Sequence, residues 1–214
     1  MKLVLLLSLA LLFKTPAVGP APVRVTFSSL TKLAYLEAKK ACISTKPVIT
    51  FPLKKTRNRI LIPTAKGPKV FQDKGVGTDN DDQAQFEYKG YLPQFNYHFV
   101  LGHYWEQTQS LLIADSGNQQ LVLNNEPRYS PDIKSFVVIA AGIEYSVYPN
   151  EIRLYRFENG RWRQVWKLEP SVEPMSWEPE EVCWLSNNSL LLKRKIWTGK
   201  NPGATYTYAK LLVQ

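Results

Sequence analysis

The chain has 214 residues, of which 44% are hydrophobic and 12% are aromatic, and this composition excludes a chain that is disordered throughout. Its two cysteines and two histidines exclude a disulfide-dense scaffold and most zinc sites built from thiolates or imidazoles. The net charge of +9 is uneven: residues 1–72 hold 13 basic residues and one acid, which gives +12, and residues 73–214 hold 14 basic and 17 acidic residues, which gives −3.

The N-terminus has the layout of a secretory signal peptide. Lys2 supplies a positive start, and the apolar run at 3–13 is shorter than the roughly 20 residues that a transmembrane helix needs. The small residues Thr15 and Ala17 suit cleavage after Ala17. We therefore predict that residues 1–17 are a signal peptide, that the mature protein is periplasmic or secreted, and that it has no transmembrane helix.

Residues 18–85 form a basic N-terminal segment in which the sequence predicts one helix, over 29–43. Ser29 is a suitable N-cap, and apolar residues then recur at three- and four-residue steps, which is typical of an amphipathic helix. We expect this helix to pack onto a sheet through Leu30, Leu33, Ala34 and Cys42.

Short β-favouring runs with prolines around them follow the predicted helix. They lie at 48–51, 59–62 and 69–72, and prolines at this density belong to edge strands or loops. The polar residues 73–85 then predict a loop that leads into the second part of the chain.

The densest basic stretch lies within this segment. Lys54, Lys55, Arg57 and Arg59 form a candidate binding surface for phosphate, anionic lipid or acidic glycans, and the alternative is a solvated face without a ligand. We expect no nucleic-acid partner, because the chain is predicted to be exported and lacks the aromatic and helical patterns of nucleic-acid-binding modules.

The loop contains a weak candidate calcium site. Asp79, Asp81 and Asp82 follow Gly75 and Gly77, and oxygen ligands on a glycine-rich loop suit Ca²⁺. The spacing is not that of an EF-hand, and a solvated polar loop is the alternative interpretation. The two histidines are an odd five positions apart and make a poor ligand pair, so the sequence predicts no other metal site and no cofactor.

Residues 86–214 favour about ten β-strands. Ser116-Gly117-Asn118 and Glu158-Asn159-Gly160 are typical hairpin turns. Strands spaced 8–12 residues apart favour antiparallel sheets in a sandwich or a propeller. Strict alternation places Trp162, Gln164 and Trp166 on one strand face.

An internal repeat favours the propeller. Tyr129-Ser130-Pro131-Asp132 aligns with Trp177-Glu178-Pro179-Glu180 at a spacing close to one four-stranded blade. Pro131 and Pro179 are therefore expected at equivalent corners between consecutive strands.

The first of these motifs resembles a known repeat. Residues 129–138 resemble the SPDG-K motif of TolB-type propeller repeats, in which the motif links one strand to the next, and Ile133 stands where the family has glycine. From residue 88 onward the layout is similar to that of exported bacterial proteins of unknown function. The resemblance implies blade-like sheets and no particular activity.

The predicted fold is mainly β, with antiparallel blade-like sheets in a partial propeller or sandwich and one N-terminal helix. After removal of residues 1–17, too few residues remain for a complete ring of blades. We expect residues 86–214 to form the β-repeat region and residues 18–85 to pack with it as one domain.

Three functions remain open from the sequence. The leading interpretation is a non-enzymatic exported protein that binds an unidentified protein or envelope polymer. The second is a hydrolase of envelope or extracellular polymers that uses an acidic pair near Glu178, Glu180 and Glu181. The third is a surface protein that grips anionic lipid or glycan through its basic N-terminal third. The sequence contains no nucleophile elbow, phosphate-binding loop or zinc-protease motif, so no catalytic residue is assigned.

Cys42 and Cys183 are the only cysteines. In an exported chain they are able to form a disulfide. Both also lie in apolar patterns, so two buried thiols are the alternative.

Overall fold

The computed structural model describes residues 23–78, 81–142, 149–172, 176–198 and 203–214. The predicted signal peptide at 1–17 lies outside these residues. The described elements are, in chain order, β1 (Val25–Leu30), α1 (Lys32–Lys39), β2 (Arg59–Ile62), β3 (Lys69–Gln72), β4 (Ala84–Leu92), β5 (Tyr97–Tyr104), β6 (Thr108–Ala114), β7 (Gln120–Leu123), β8 (Arg128–Tyr129), β9 (Ser135–Ala140), β10 (Glu151–Glu158), β11 (Arg161–Leu168), β12 (Trp177–Ser186), β13 (Ser189–Trp197) and β14 (Ala204–Val213).

Three four-stranded antiparallel sheets follow one another along the chain. The first sheet has the order β4-β5-β6-β7, the second β11-β10-β9-β8, and the third β1-β14-β13-β12. The strands β2 and β3 form a separate two-stranded hairpin. The prediction of a mainly β protein with antiparallel sheets and one helix is thus confirmed for the described chain.

These sheets pack face to face in layers, because each buries apolar side chains on both of its faces. The hairpin covers one face of the first sheet, with Ile60 and Ile62 fully buried against Val100 and Ile113. The other face of the first sheet meets the second sheet in an aromatic cluster around Trp162. The second and third sheets enclose a further cluster, which includes Ile152, Val182, Trp184, Leu192 and Leu211.

The first strand of the described chain completes the last sheet. β1 pairs antiparallel with β14, from Val25 opposite Val213 to Leu30 opposite Tyr208. The N-terminal segment therefore contributes β1 to the third sheet and does not stand apart from the β region.

The helix is shorter than the sequence predicted, and it buries a different face. Ser29 and Leu30 belong to β1, and the N-cap is Thr31, whose hydroxyl oxygen accepts the Ala34 N–H at 3.2 Å. Leu33 is 80% exposed. The predicted span 29–43 and the predicted packing through Leu33 are therefore wrong.

α1 instead packs through its one buried residue, Tyr35. The ring centroids of Tyr35 and Tyr208 lie 4.6 Å apart, on the face of the third sheet that points away from the second sheet. The apolar pattern predicted a helix in this region but not the face that it buries, because a single aromatic side chain makes its contact with the sheet.

The predicted equivalence of the two prolines is also wrong. Pro131 lies in the turn between β8 and β9, whereas Pro179 lies inside β12, at a register shift opposite Arg194. The position of Pro131 corresponds to that of Pro93, which follows the first strand of the first sheet. The short similarity therefore aligned a turn with a bulge.

A β-bulge overturns the predicted arrangement of the tryptophans. Leu154 pairs with Trp166 and Tyr155 pairs with Gln164, so Val165 is an extra residue in β11. An extra residue reverses the alternation of side chains. Trp162 consequently packs between the first and second sheets, while Trp166 packs between the second and third.

The local turns and the hairpin follow the sequence. Gly117 and the pair Asn159 and Gly160 have positive φ at the predicted turns, where Gly and Asn accept this conformation readily. The runs at 59–62 and 69–72 form β2 and β3 as predicted. The run at 48–51 makes only a single bridge, between Thr50 and Tyr91.

Candidate functional site

The chain between α1 and β2 runs along the outer edge of β4. Thr50 and Tyr91 exchange both backbone hydrogen bonds, at 2.9 and 2.7 Å. Gly90 permits this approach: its φ is +126°, and a Cβ at this position would overlap Cγ2 of Ile49 and lie 2.9 Å from the Thr50 carbonyl oxygen. A glycine inside a strand pattern is a sequence signal for such close contact.

Farther along the same edge, an ion pair takes the place of a neighbouring strand. The Phe86 N–H donates to Asp73 Oδ1 at 2.9 Å, and Lys55 Nζ donates to the Phe86 carbonyl oxygen at 2.7 Å. Lys55 Nζ also lies 2.5 Å from Asp73 Oδ2. Lys55 is thus a structural residue, although the sequence suggested it as part of a binding surface.

A groove of about 470 Å³ opens between this segment and the first sheet. Its lining is largely aromatic and basic but includes one carboxylate; the lining residues are Phe51, Leu53, Lys54, Lys55, Gln85, Phe86, Glu87, Tyr88 and His103. Phe51 is 69% exposed. Large exposed aromatic side chains beside a groove are typical of binding surfaces.

Lys54 lines this groove, and two further cations, Arg57 and Arg59, follow it along the chain outside the lining. Lys54, Arg57 and Arg59 are exposed, and none of them forms an ion pair within the described residues. Arg57 and Asn58 have φ of 52° and 58° in a tight turn that Thr56 and Arg59 close through two backbone hydrogen bonds. Three of the four predicted basic residues are therefore available to an anionic partner.

A carboxylate, that of Glu87, and an imidazole, that of His103, lie on the other side of the groove. Glu87 Oε1 lies 3.1 Å from Lys89 Nζ, and Glu87 Oε2 lies 4.0 Å from His103 Nε2. His103 Nδ1 lies 3.2 Å from the hydroxyl oxygen of Thr108. These contacts hold the imidazole at the rim of the groove, where it presents a polar group next to Phe86.

The second histidine lies in a buried polar network. His98 is 5% exposed; its Nδ1 lies 2.9 Å from the Tyr88 hydroxyl and its Nε2 lies 3.2 Å from Asp115 Oδ1. Burial lowers the pKa of His98, and the Asp115 charge opposes that shift in part. Burial, with Asp115 next, raises the pKa of Tyr88 to about 12, so Tyr88 stays a neutral phenol and is not an activated nucleophile.

The acidic residues that suggested a hydrolase are engaged by lysines. Lys195 Nζ lies 3.3 Å from Glu178 Oε1, and Lys193 Nζ lies 3.6 Å from Glu180 Oε1. Glu181 accepts hydrogen bonds from Lys39 at 2.7 Å and from the Tyr35 hydroxyl at 3.2 Å. Burial raises the pKa of Glu181, but these partners outweigh it and hold the pKa below its usual range. A general acid needs the opposite shift.

The calcium candidates are described only in part. Asp79 lies outside the described residues, and Asp81 and Asp82 are exposed. In the ranges that the structure describes, no group of three or more His, Cys, Asp or Glu side chains is arranged to hold a metal ion. No helix within those ranges is long and apolar enough to cross a membrane.

A disulfide joins Cys42 to Cys183, across a sequence separation of 141 and with a Cα–Cα distance of 5.8 Å. Ile43 extends the contact by pairing with Trp184, whose carbonyl oxygen accepts the Ile43 N–H at 2.8 Å. This connection fixes the chain after α1 to the free edge of β12.

Comparisons of the chain with profiles of known protein families, with curated proteins and with solved structures found no match. The groove, its charges and its exposed aromatic side chain are the candidate functional features of the described chain.

Proposed function

We propose that this chain is an exported, non-enzymatic binding protein built from TolB-type blade-like sheets, and that it binds an anionic stretch of another macromolecule. The binding surface is the groove between residues 51–55 and the first sheet, together with Lys54, Arg57 and Arg59. The partner is an acidic envelope polymer, with carboxylates spaced along an extended chain. The stack of four-stranded sheets in chain order supports the structural part of this proposal.

The observation that carries the functional part is an exposed aromatic side chain beside the cation Lys54 at one groove, with the exposed cations Arg57 and Arg59 following Lys54 along the chain. Lys54, Arg57 and Arg59 have no acidic partner in the described chain, so an incoming carboxylate does not have to displace an internal one. Phe51 offers an apolar ring to the face of a sugar or to an aliphatic stem. Binding of polymer carboxylates to these cations should weaken as the salt concentration rises.

Binding of the mature protein to immobilised polygalacturonate, a carboxylated polysaccharide, tests the proposal. We expect salt-sensitive retention that falls at least tenfold in the combined variant Lys54→Gln, Arg57→Gln, Arg59→Gln, and that falls severalfold in Phe51→Ser. The matched control is Lys210→Gln with Arg24→Gln, which neutralises exposed cations on the third sheet, at the other end of the stack.

Two outcomes would contradict the proposal. Equal loss of retention in the control and in the groove variants would show that net charge alone is responsible. Stronger binding to vesicles with anionic lipid than to the polymer, again dependent on Arg57 and Arg59, would favour the alternative of a lipid surface, for which Phe51 would be an interfacial anchor. The hydrolase alternative has no supporting observation, since its carboxylates are held by lysines.

A further inference from the structure

The third sheet has a notch along the edge of β14. β1 pairs with β14 only as far as Leu30, opposite Tyr208, and the chain then turns away into α1. The remaining residues 204–207 of β14 pair with β13 on one side and have no neighbouring strand on the other side in the described chain. The first backbone groups of β14 are therefore open at this edge.

A cleft of about 570 Å³ lies at this notch. The end of β1, the first residue of α1 and two neighbouring strands line it, and the polar contributors are Ser29, Lys32, Arg194, Thr205, Tyr206, Thr207 and Tyr208. None of its lining residues is acidic. The cleft thus combines two cations with several hydroxyl groups, which is the donor set that oxyanions require.

The pairing register brings four of the lining side chains to one face of the third sheet. Arg194 lies directly opposite Thr207, and Ser29 lies opposite Ala209. Residues two apart on a strand share a face, so Arg194, Thr205, Thr207 and Ser29 all lie on the side that carries the buried Ala209. Tyr206 and Tyr208 lie on the opposite face, where α1 packs, so the cleft extends across the edge of the sheet and Lys32 lines it from the start of α1.

Arg194 is a cation without a counter-ion in the described residues. Its Nε is buried and has no hydrogen-bond partner, and no described carboxylate lies within ion-pair distance. Its Cζ lies 5.2 Å from the ring centroid of Trp177, a stacking contact that restrains the guanidinium. Burial lowers the pKa of Arg194, which indicates a charge that is partly stripped of water and would gain from an anion.

We propose that this cleft is a binding site for a small oxyanion, the carboxylate or sulfate group of a ligand, held by Arg194 and Lys32 with the hydroxyl groups of Ser29, Thr205 and Thr207 as additional donors. It lies on the third sheet, whereas the groove of the proposed function lies between residues 51–55 and the first sheet. The two sites are separate, and either proposal can fail without the other.

Titration of the ¹⁵N-labelled mature protein with sodium succinate and, separately, with sodium sulfate tests the site, with sodium chloride at equal ionic strength as the reference. We expect saturable shifts of the amide signals of Ser29, Thr205 and Thr207 at millimolar ligand. Arg194→Gln should raise the dissociation constant at least tenfold and Lys32→Gln severalfold. Arg194→Lys keeps the charge without the planar fork and should fall between wild type and Arg194→Gln.

The matched controls are Lys210→Gln, on the same strand outside the cleft, and Lys54→Gln, in the groove at the other end of the stack. Both should change the dissociation constant less than twofold, and each variant's unfolding midpoint shows whether it is folded. Shifts with neither succinate nor sulfate beyond the chloride reference would overturn the proposal. So would a dissociation constant for a folded Arg194→Gln variant that equals the wild-type value.

Discussion

Lys55 and Asp73 form an ion pair that completes the edge of β4 as a neighbouring strand would. Asp73 accepts the N–H of Phe86, and Lys55 donates to the Phe86 carbonyl oxygen. The charged atoms of Lys55 and Asp73 lie 2.5 Å apart. The Asp73 side chain is only 6% exposed. Because the backbone N–H and carbonyl oxygen of Phe86 are both paired, this part of the edge cannot form a ladder with a strand of another chain. The same contacts fix the position of Phe86 in the wall of the groove.

Removing the acid of this pair should destabilise the fold. Asp73→Ala leaves the Phe86 N–H and the Lys55 ammonium without their partner, and we expect the free energy of unfolding to fall by about 1–3 kcal/mol. Urea unfolding of the mature protein measures this change. The control is Lys40→Ala, which breaks the Lys40–Glu37 pair of equal length between side chains that are 73% and 72% exposed.

That exposed pair should contribute no more than about 0.5 kcal/mol. If Asp73→Ala costs no more than Lys40→Ala, the Lys55–Asp73 pair does not support the edge of β4.

Gly90 should tolerate no side chain. Gly90→Ala would force a Cβ into Ile49 and the Thr50 carbonyl oxygen at a φ of +126°, and we expect a loss of about 2–4 kcal/mol. Gly67→Ala is the matched control, because its φ is +104° but nothing lies within 4 Å of the new Cβ.

Gly67→Ala should lower the free energy of unfolding by about 1 kcal/mol, through backbone strain alone. Equal unfolding midpoints for the two variants in urea would contradict the close approach of residues 49–51 to β4.

The disulfide should contribute a large part of the stability of the oxidised protein. A crosslink that closes a loop of this size, with its cysteines 141 positions apart, contributes on the order of 4–5 kcal/mol in the chain-entropy model. We expect reduction to lower the free energy of unfolding by that amount and thiol labelling of the unfolded, unreduced protein to modify no cysteine.

The variant Cys42→Ser with Cys183→Ser provides the control, since its unfolding should not respond to reductant. Two labelled cysteines in the unreduced wild-type protein would mean that the chain carries two free thiols and no disulfide.

Burial of His98 should make the stability depend on pH. The pKa of His98 is lower in the folded state than the ordinary 6.5. The unfolded state therefore binds more protons once the pH falls below 6.5. Stability is therefore complete above 6.5 and decreases as the pH falls towards the folded pKa. Urea unfolding between about pH 5 and pH 8 measures the effect.

His98→Gln should remove this component of the pH dependence, whereas replacement of the half-exposed His103 by Gln should leave it in place. An unchanged pH profile in His98→Gln would show that other groups cause the dependence.

The features that could be predicted from the sequence are local. Turns at Gly117 and at Asn159 and Gly160 require positive φ, which Gly and Asn accept within two or three residues. The alternation of β-favouring runs with such turns established an antiparallel β protein, and the runs at 59–62 and 69–72 became the hairpin. The charge asymmetry likewise located the basic surface with Lys54, Arg57 and Arg59.

The features that depend on residues far away in the chain could not be predicted from the sequence. One extra residue, Val165, reversed the faces of the strand that carries Trp162 and Trp166, because side-chain alternation changes with every bulge. Ser29 and Leu30 fit the helical pattern but belong to β1, because they pair with residues of β14. The groove and the notch arise where such pairings stop, and no local pattern specifies where a strand from the other end of the chain will end.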